Sequence, residues 1–161
     1  MKLAIAEFIS LVLTSLVMGV FWGTWFTLTR SIDQFSAAEF IHIGKVIIGN
    51  VAAPMRFIMP SCILLMLLSI WFHPRKKSTE FYFHITGFFL IIITLLVTLL
   101  VLVPIDNEIK KWTNETVPSD WGLIRKRWET FHAVRTFCSL ASFACFSFFT
   151  FTNSKLNGRI Y

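Results

Sequence analysis

FYFHITGFFLIIITLLVTLLVLV, residues 81–103, is the stretch of sequence that decides the fold. It contains no Asp, Glu, Lys or Arg, and a helix of about 20 apolar residues crosses the ~30 Å hydrocarbon core of a membrane. Three comparable stretches occur, and together the four approximate spans are residues 3–26, 51–72, 81–103 and 128–152. We therefore predict an all-α fold, an integral membrane four-helix bundle in which residues 1–161 form a single transmembrane domain.

The composition of the chain agrees with a multi-pass membrane protein. Of its 161 residues 55% are hydrophobic, with 18 Phe and 6 Trp, which is too much apolar surface for a water-soluble domain to cover. The net charge of +6 lies in short basic runs beside the spans, at residues 75–77, 110–111 and 125–127. Such runs orient membrane proteins, so we expect the lipid bilayer and no nucleic acid as a partner. The short loop with Arg75–Lys77 favours both termini in the cytoplasm, although a raw count of Lys and Arg points the other way.

An amphipathic segment, residues 36–50, lies between the first and second spans. Ser36 and Glu39 have the spacing of a capping box, which predicts a helix start. Phe40, Ile43 and Ile47 then share one helical face. The pattern predicts an amphipathic helix that lies on the membrane or folds back over the mouth of the bundle.

Two features interrupt the apolar spans. Ser15, Gly19 and Gly23 recur every four residues, which suits close helix packing within the bundle or between two copies of the chain in a homo-oligomer. Arg56 lies near the start of the second span. Its long side chain can reach the headgroups or line a cavity that binds substrate.

A stripe of polar residues opens the fourth span. Trp128, His132 and Arg135 lie at i, i+4 and i+7, so they share a helix face. Asp106 and Asn107 follow the third span, and in a bundle of alternating spans they belong to the same membrane face as the stripe. Asp106 can neutralise Arg135 or orient His132. Two interpretations remain open: a ligand site in which His132, Arg135 and Asp106 are the catalytic candidates, or a polar clamp between helices that fixes their register.

Other kinds of site lack their sequence signals. The chain has no Gly-rich phosphate loop, no GxSxG and no HExxH. Cys62, Cys138 and Cys145 form no CxxC pair, and His84 and His132 belong at opposite ends of their spans. We therefore expect no metal site and no haem.

The polar segments resemble those of a known family. Residues 103–109 (VPIDNEI), then Arg127-Trp128, then His132-x-x-Arg135-Thr136 are similar to the anthrone-oxygenase-like family of small integral membrane proteins, a domain of largely unknown function. The chain departs from the family pattern at Leu102 and Asp106, where asparagines are usual.

The resemblance implies a chemistry for the polar stripe. Fungal members of the family oxidise anthrones to anthraquinones with molecular oxygen and without a conventional cofactor. By that resemblance the chain is an oxidoreductase that acts on a lipophilic aromatic or quinone-like small molecule, with oxygen as co-substrate. His132 would remove a carbon-bound proton, Arg135 would stabilise the enolate, and Trp128 and Asn107 would bind the substrate. The competing hypothesis is a non-enzymatic membrane protein that binds lipid or a partner membrane protein through its helix faces.

Overall fold

The structure is a computed structural model that describes the backbone of residues 2–157 and the side chains of residues 4–152. All the regular secondary structure in this part of the chain is helical, with no strand in it. The elements are α1 (Lys2–Thr27), a 3₁₀ helix (Thr29–Gln34), α2 (Ala37–Phe72), α3 (Thr79–Val97), a π-helical turn (Thr98–Leu102), α4 (Val103–Lys111) and α5 (Trp121–Asn157).

Four helical stretches are long and apolar enough to cross a membrane, so the predicted four-helix membrane bundle is confirmed. They cover residues 4–34, 37–72, 79–111 and 121–152. Their inner faces meet in a core to which α1 contributes Val17, α2 contributes Met66, α3 contributes Ile91 and α5 contributes Phe146. Large apolar side chains also cover the outside, as a surface in contact with lipid tails requires. The far ends of the chain, residues 1 and 158–161, lie outside the described residues.

The amphipathic segment is the first part of α2 and not a separate helix. The capping box of Ser36 and Glu39 is present as predicted, but the helix continues to Phe72 through Pro54. Gly44 lies so close to Ile109 of α4 that an added Cβ would be 3.3 Å from its side chain. The apolar face of this segment therefore packs against α4 and does not lie on the membrane.

The third span changes helix type close to the site. The π-helical turn Thr98–Leu102 ends two residues before Pro104. Proline lacks an N–H and crowds the carbonyl four residues earlier, and a wider turn accommodates both effects. Since the helix continues as α4 to Lys111, Asp106 and Asn107 lie on a helix and not in a loop.

Close contact between α3 and α5 fixes the position of the fourth span. An added Cβ on Gly87 would lie 3.1 Å from the carbonyl oxygen of Ser142, and the Ser142 hydroxyl donates to the Gly87 carbonyl at 2.7 Å. By contrast, an added Cβ on Gly19 or Gly23 would meet nothing within 4 Å among the described residues. The small-residue face of α1 therefore packs on no helix of the described bundle.

Candidate functional site

A cleft of about 510 Å³ opens between the helices near the end where α5 begins. All six candidate residues from the sequence line it: Arg56, Asp106, Asn107, Trp128, His132 and Arg135. The walls are otherwise mostly apolar, with Met55 and Met59 from α2 and Leu99 from the π-helical turn. A cleft at this level is what distinguishes a ligand site from a closed polar clamp.

Hydrogen bonds and ring contacts connect the polar residues of the cleft. Trp128 donates from Nε1 to Oδ1 of Asp106 at 2.9 Å, which ties α5 to α4. The His132 ring packs against Trp128 with 3.7 Å between ring centroids. Trp128 is only 1% exposed, and it contacts both Asp106 and His132 at the wall of the cleft.

The contact between His132 and Arg135 determines where the imidazole carries its proton. Nη2 of Arg135 lies 3.1 Å from Nδ1 of His132. A guanidinium can only donate, so Nδ1 must accept, and the neutral ring carries its proton on Nε2. His132 therefore presents an N–H donor at Nε2.

Arg135 is buried without a carboxylate partner. It is 8% exposed, its Nε has no hydrogen-bond partner, and no carboxylate oxygen within the described residues lies within 4.0 Å of its guanidinium. Its guanidinium lies over the ring of Phe21, 4.3 Å from the centroid. Asp106 and Arg135 attract each other at longer range, but the direct ion pair that a polar clamp requires is absent from the described part of the chain. A buried arginine in this state favours an anion beside it.

The mouth of the cleft lies between α2 and the third span. The lining residues on α1 and α5 are partly or fully buried and form the floor, whereas those on the two rims include exposed side chains. The exposed rim residues are Arg56, Pro60, Leu99, Val103, Asn107 and Lys110. Since Leu99 and Val103 are apolar and belong to a membrane-spanning segment, the mouth opens at least in part toward lipid.

Several lining residues were not among the sequence candidates. Lys110 lies at i+4 from Asp106, so the same helical spacing that selected the stripe on α5 would have found it. Phe21 and Thr98 had no such signal, because one is an ordinary apolar residue of α1 and the other gains its position from the π-helical turn.

Two other buried histidines lie at the opposite end of the bundle. The rings of His73 and His84 both pack on Phe149, with centroid distances of 5.3 Å and 4.1 Å. His84 is thus far from the depth of His132, as the sequence predicted. Burial lowers the pKa of His73 below its ordinary value, and Arg75 lowers it further, while Glu80 acts in the opposite direction.

Comparison with known proteins adds one match. The family model described as anthrone oxygenase matches residues 43–145, which include all six candidate residues. Comparison with curated proteins and with solved structures gives no match. The family model covers well over half of the 161 residues, and its range contains all the charged residues that line the cleft. The chain therefore belongs to the anthrone oxygenase family.

Proposed function

We propose that the protein is a membrane oxygenase that oxidises a lipophilic aromatic molecule of the anthrone type, with molecular oxygen as the co-substrate. The observation that carries the proposal is Arg135, a buried cation without a carboxylate partner, on the floor of an otherwise largely apolar cleft. Such a group is suited to stabilise an oxyanion that forms during the reaction.

The first step is removal of a proton from the carbon opposite the carbonyl of the substrate, which gives an enolate. Asp106 is the only carboxylate among the described residues that line the cleft, and only its Oδ1 is engaged, by Trp128. Because Nδ1 of His132 accepts from Arg135, we assign proton abstraction to Asp106 and not to His132. Arg135 then stabilises the enolate oxygen by its charge, and its contact with Nδ1 of His132 keeps the guanidinium in position.

The second step is direct reaction of the enolate with oxygen. One electron passes from the enolate to oxygen, and recombination of the resulting pair forms a carbon–oxygen bond and a peroxide anion. This anion takes up the proton from Asp106 and becomes a hydroperoxide. The hydroperoxide then loses water and leaves a second carbonyl. The water takes the distal oxygen, the hydroperoxide proton and the remaining proton on that carbon. Anthrone and one oxygen molecule thus give anthraquinone and one water molecule, with no cofactor required from the chain.

The membrane setting supports this chemistry. Polycyclic phenols and oxygen both partition into hydrocarbon, and the apolar walls of the cleft suit the rings of such a substrate. A site withdrawn from bulk water also strengthens the attraction between Arg135 and the enolate oxygen.

The test is oxidation of anthrone by the purified full-length protein in an uncharged detergent. Oxygen uptake and anthraquinone absorbance should rise in a one-to-one ratio above the rate without protein. Arg135→Ala should lower the rate by about 10²-fold or more, because it removes the charge that meets the enolate. Arg127→Ala, at an exposed arginine of α5 outside the cleft, is the matched control and should leave the rate unchanged. Absence of turnover by the folded protein, or equal rates in the two variants, would contradict the proposal.

A further inference from the structure

Arg56 is a second cation of the cleft, and the proposed reaction does not use it. It is exposed at the rim and makes no hydrogen bond or ion pair with any residue that the structure describes. Its guanidinium therefore has no partner among the described residues.

With the middle of α1 at the middle of the bilayer, the position of Arg56 along α2 lies inside the hydrocarbon core. Thr14, at the middle of α1 (Lys2–Thr27), contacts Cys62 of α2 with 3.2 Å between the hydroxyl oxygen and the sulfur. Arg56 is six residues from Cys62 along the helix, which corresponds to a rise of about 9 Å. Half of the hydrocarbon core measures about 15 Å. An arginine at such a depth is costly unless water, a headgroup or an anion meets it.

The charges that line the cleft are unbalanced. Arg56, Lys110 and Arg135 are cationic, and Asp106 is the only anionic residue among the described lining residues. Arg135 at the floor is more than nine-tenths buried and has an unpartnered Nε. The cleft thus has a net positive charge within an apolar wall, which is the complement of an apolar molecule with a negative charge.

We infer that the cleft selects a lipophilic acid, a molecule with an apolar body and an ionised acidic group, which enters sideways from the bilayer between α2 and the third span. The acidic group pairs with Arg56 at the rim, and the apolar body passes between Pro60 and Leu99 to the floor. Arg56 is then a specificity-determining residue. This inference rests on the proposed function, since it gives the substrate of that cleft a permanent charge that anthrone itself lacks.

The test compares matched acids and neutral analogues on the full-length protein in an uncharged detergent. The aromatic pair is 9-anthracenecarboxylate and 9-anthracenemethanol, whose binding is followed by quenching of tryptophan fluorescence. The aliphatic pair is oleate and oleyl alcohol, which are measured by displacement of the bound aromatic acid. Tighter binding of 9-anthracenecarboxylate would identify the acid as an aromatic substrate. Tighter binding of oleate would identify it as a membrane fatty acid.

The expected result is that each acid binds at least about tenfold more tightly than its neutral analogue, the usual advantage of a charge-assisted contact. Arg56→Gln should abolish the preference and leave binding of the neutral analogues unchanged, whereas Arg56→Lys should retain part of it. Arg127→Gln is the control and should bind all four probes as the unmodified protein does.

Equal affinity of acids and neutral analogues for the unmodified protein would overturn the inference, and so would a full preference in Arg56→Gln. The first of these results requires no variant, so it does not depend on how a substitution affects folding. Oxidation of uncharged anthrone at the expected rate, together with no preference for acids, would leave the proposed function standing and remove only this inference.

Discussion

Replacement of Asp106 by asparagine separates the chemical role of this residue from its structural role. The two side chains have the same shape, and the asparagine oxygen can still accept the hydrogen bond from Nε1 of Trp128, which measures 2.9 Å in the structure. That bond would change from a charge-assisted one, worth about 1.5–3 kcal/mol, to a neutral one, worth about 0.5–1.5 kcal/mol. The expected loss in the free energy of unfolding is therefore only about 1–2 kcal/mol.

The effect on the reaction should be much larger. An amide cannot take up the proton, so anthrone oxidation should slow by about 10²- to 10⁴-fold, the usual contribution of a positioned general base. The assay is initial oxygen uptake with anthrone, and thermal unfolding of the same preparation in detergent shows that the variant is folded. Asparagine is the usual residue at this position of the family pattern, so the helix should accommodate it, and the assignment of the base to Asp106 is specific to this chain.

Oxidation of anthrone by Asp106→Asn at the unmodified rate would refute the assignment of the base to Asp106. Such a result, combined with loss of activity in His132→Ala, would return proton abstraction to His132, as the sequence alone suggested. It would also mean that Arg135 leaves Nδ1 of His132 when the substrate binds.

Three further predictions concern the contacts that build the site and the bundle. Trp128→Phe keeps a ring but leaves the partly buried Asp106 carboxylate without its hydrogen-bond donor. The free energy of unfolding, measured by titration with a denaturing detergent, should therefore fall by about 1–3 kcal/mol. An unchanged free energy would show that this hydrogen bond contributes nothing to stability. Gly87→Ala should lower the free energy of unfolding by about 1–3 kcal/mol because the added Cβ would meet the backbone of α5. Gly122→Ala is the control, since no described atom lies within 4 Å of the added Cβ, and its thermal midpoint should be unchanged or slightly higher. Burial keeps the pKa of His73 in the folded state below the unfolded value of about 6.5. The free energy of unfolding should therefore be highest above pH 6.5 and should fall as the pH decreases below it. A His73→Phe variant whose unfolding shows the same pH dependence would contradict the assignment to His73.

The choice between a ligand site and a polar clamp depended on which residue the Asp106 carboxylate contacts. The spacing of Trp128, His132 and Arg135 is a property of any helix, so the sequence could place them on one face. Whether Asp106 would meet Arg135 or Trp128 depends on how far α4 and α5 are rotated about their axes. The structure pairs Asp106 with Trp128, which leaves Arg135 facing a cleft without a carboxylate partner in the described residues.

The sequence by itself determined the four membrane spans, since about 20 apolar residues in a row have no stable place in water whatever their neighbours are. It also determined the start of α2 at Ser36, because a capping box is satisfied by residues only three positions apart. Only the tertiary structure decided that α2 continues from residue 37 to Phe72, that Phe21 covers the Arg135 guanidinium, and that a cleft remains between the helices. These features depend on contacts between residues far apart in the chain, such as Gly87 with Ser142, which fix the separation and rotation of the helices. Local sequence patterns specify which residues share a face, but packing specifies what that face meets.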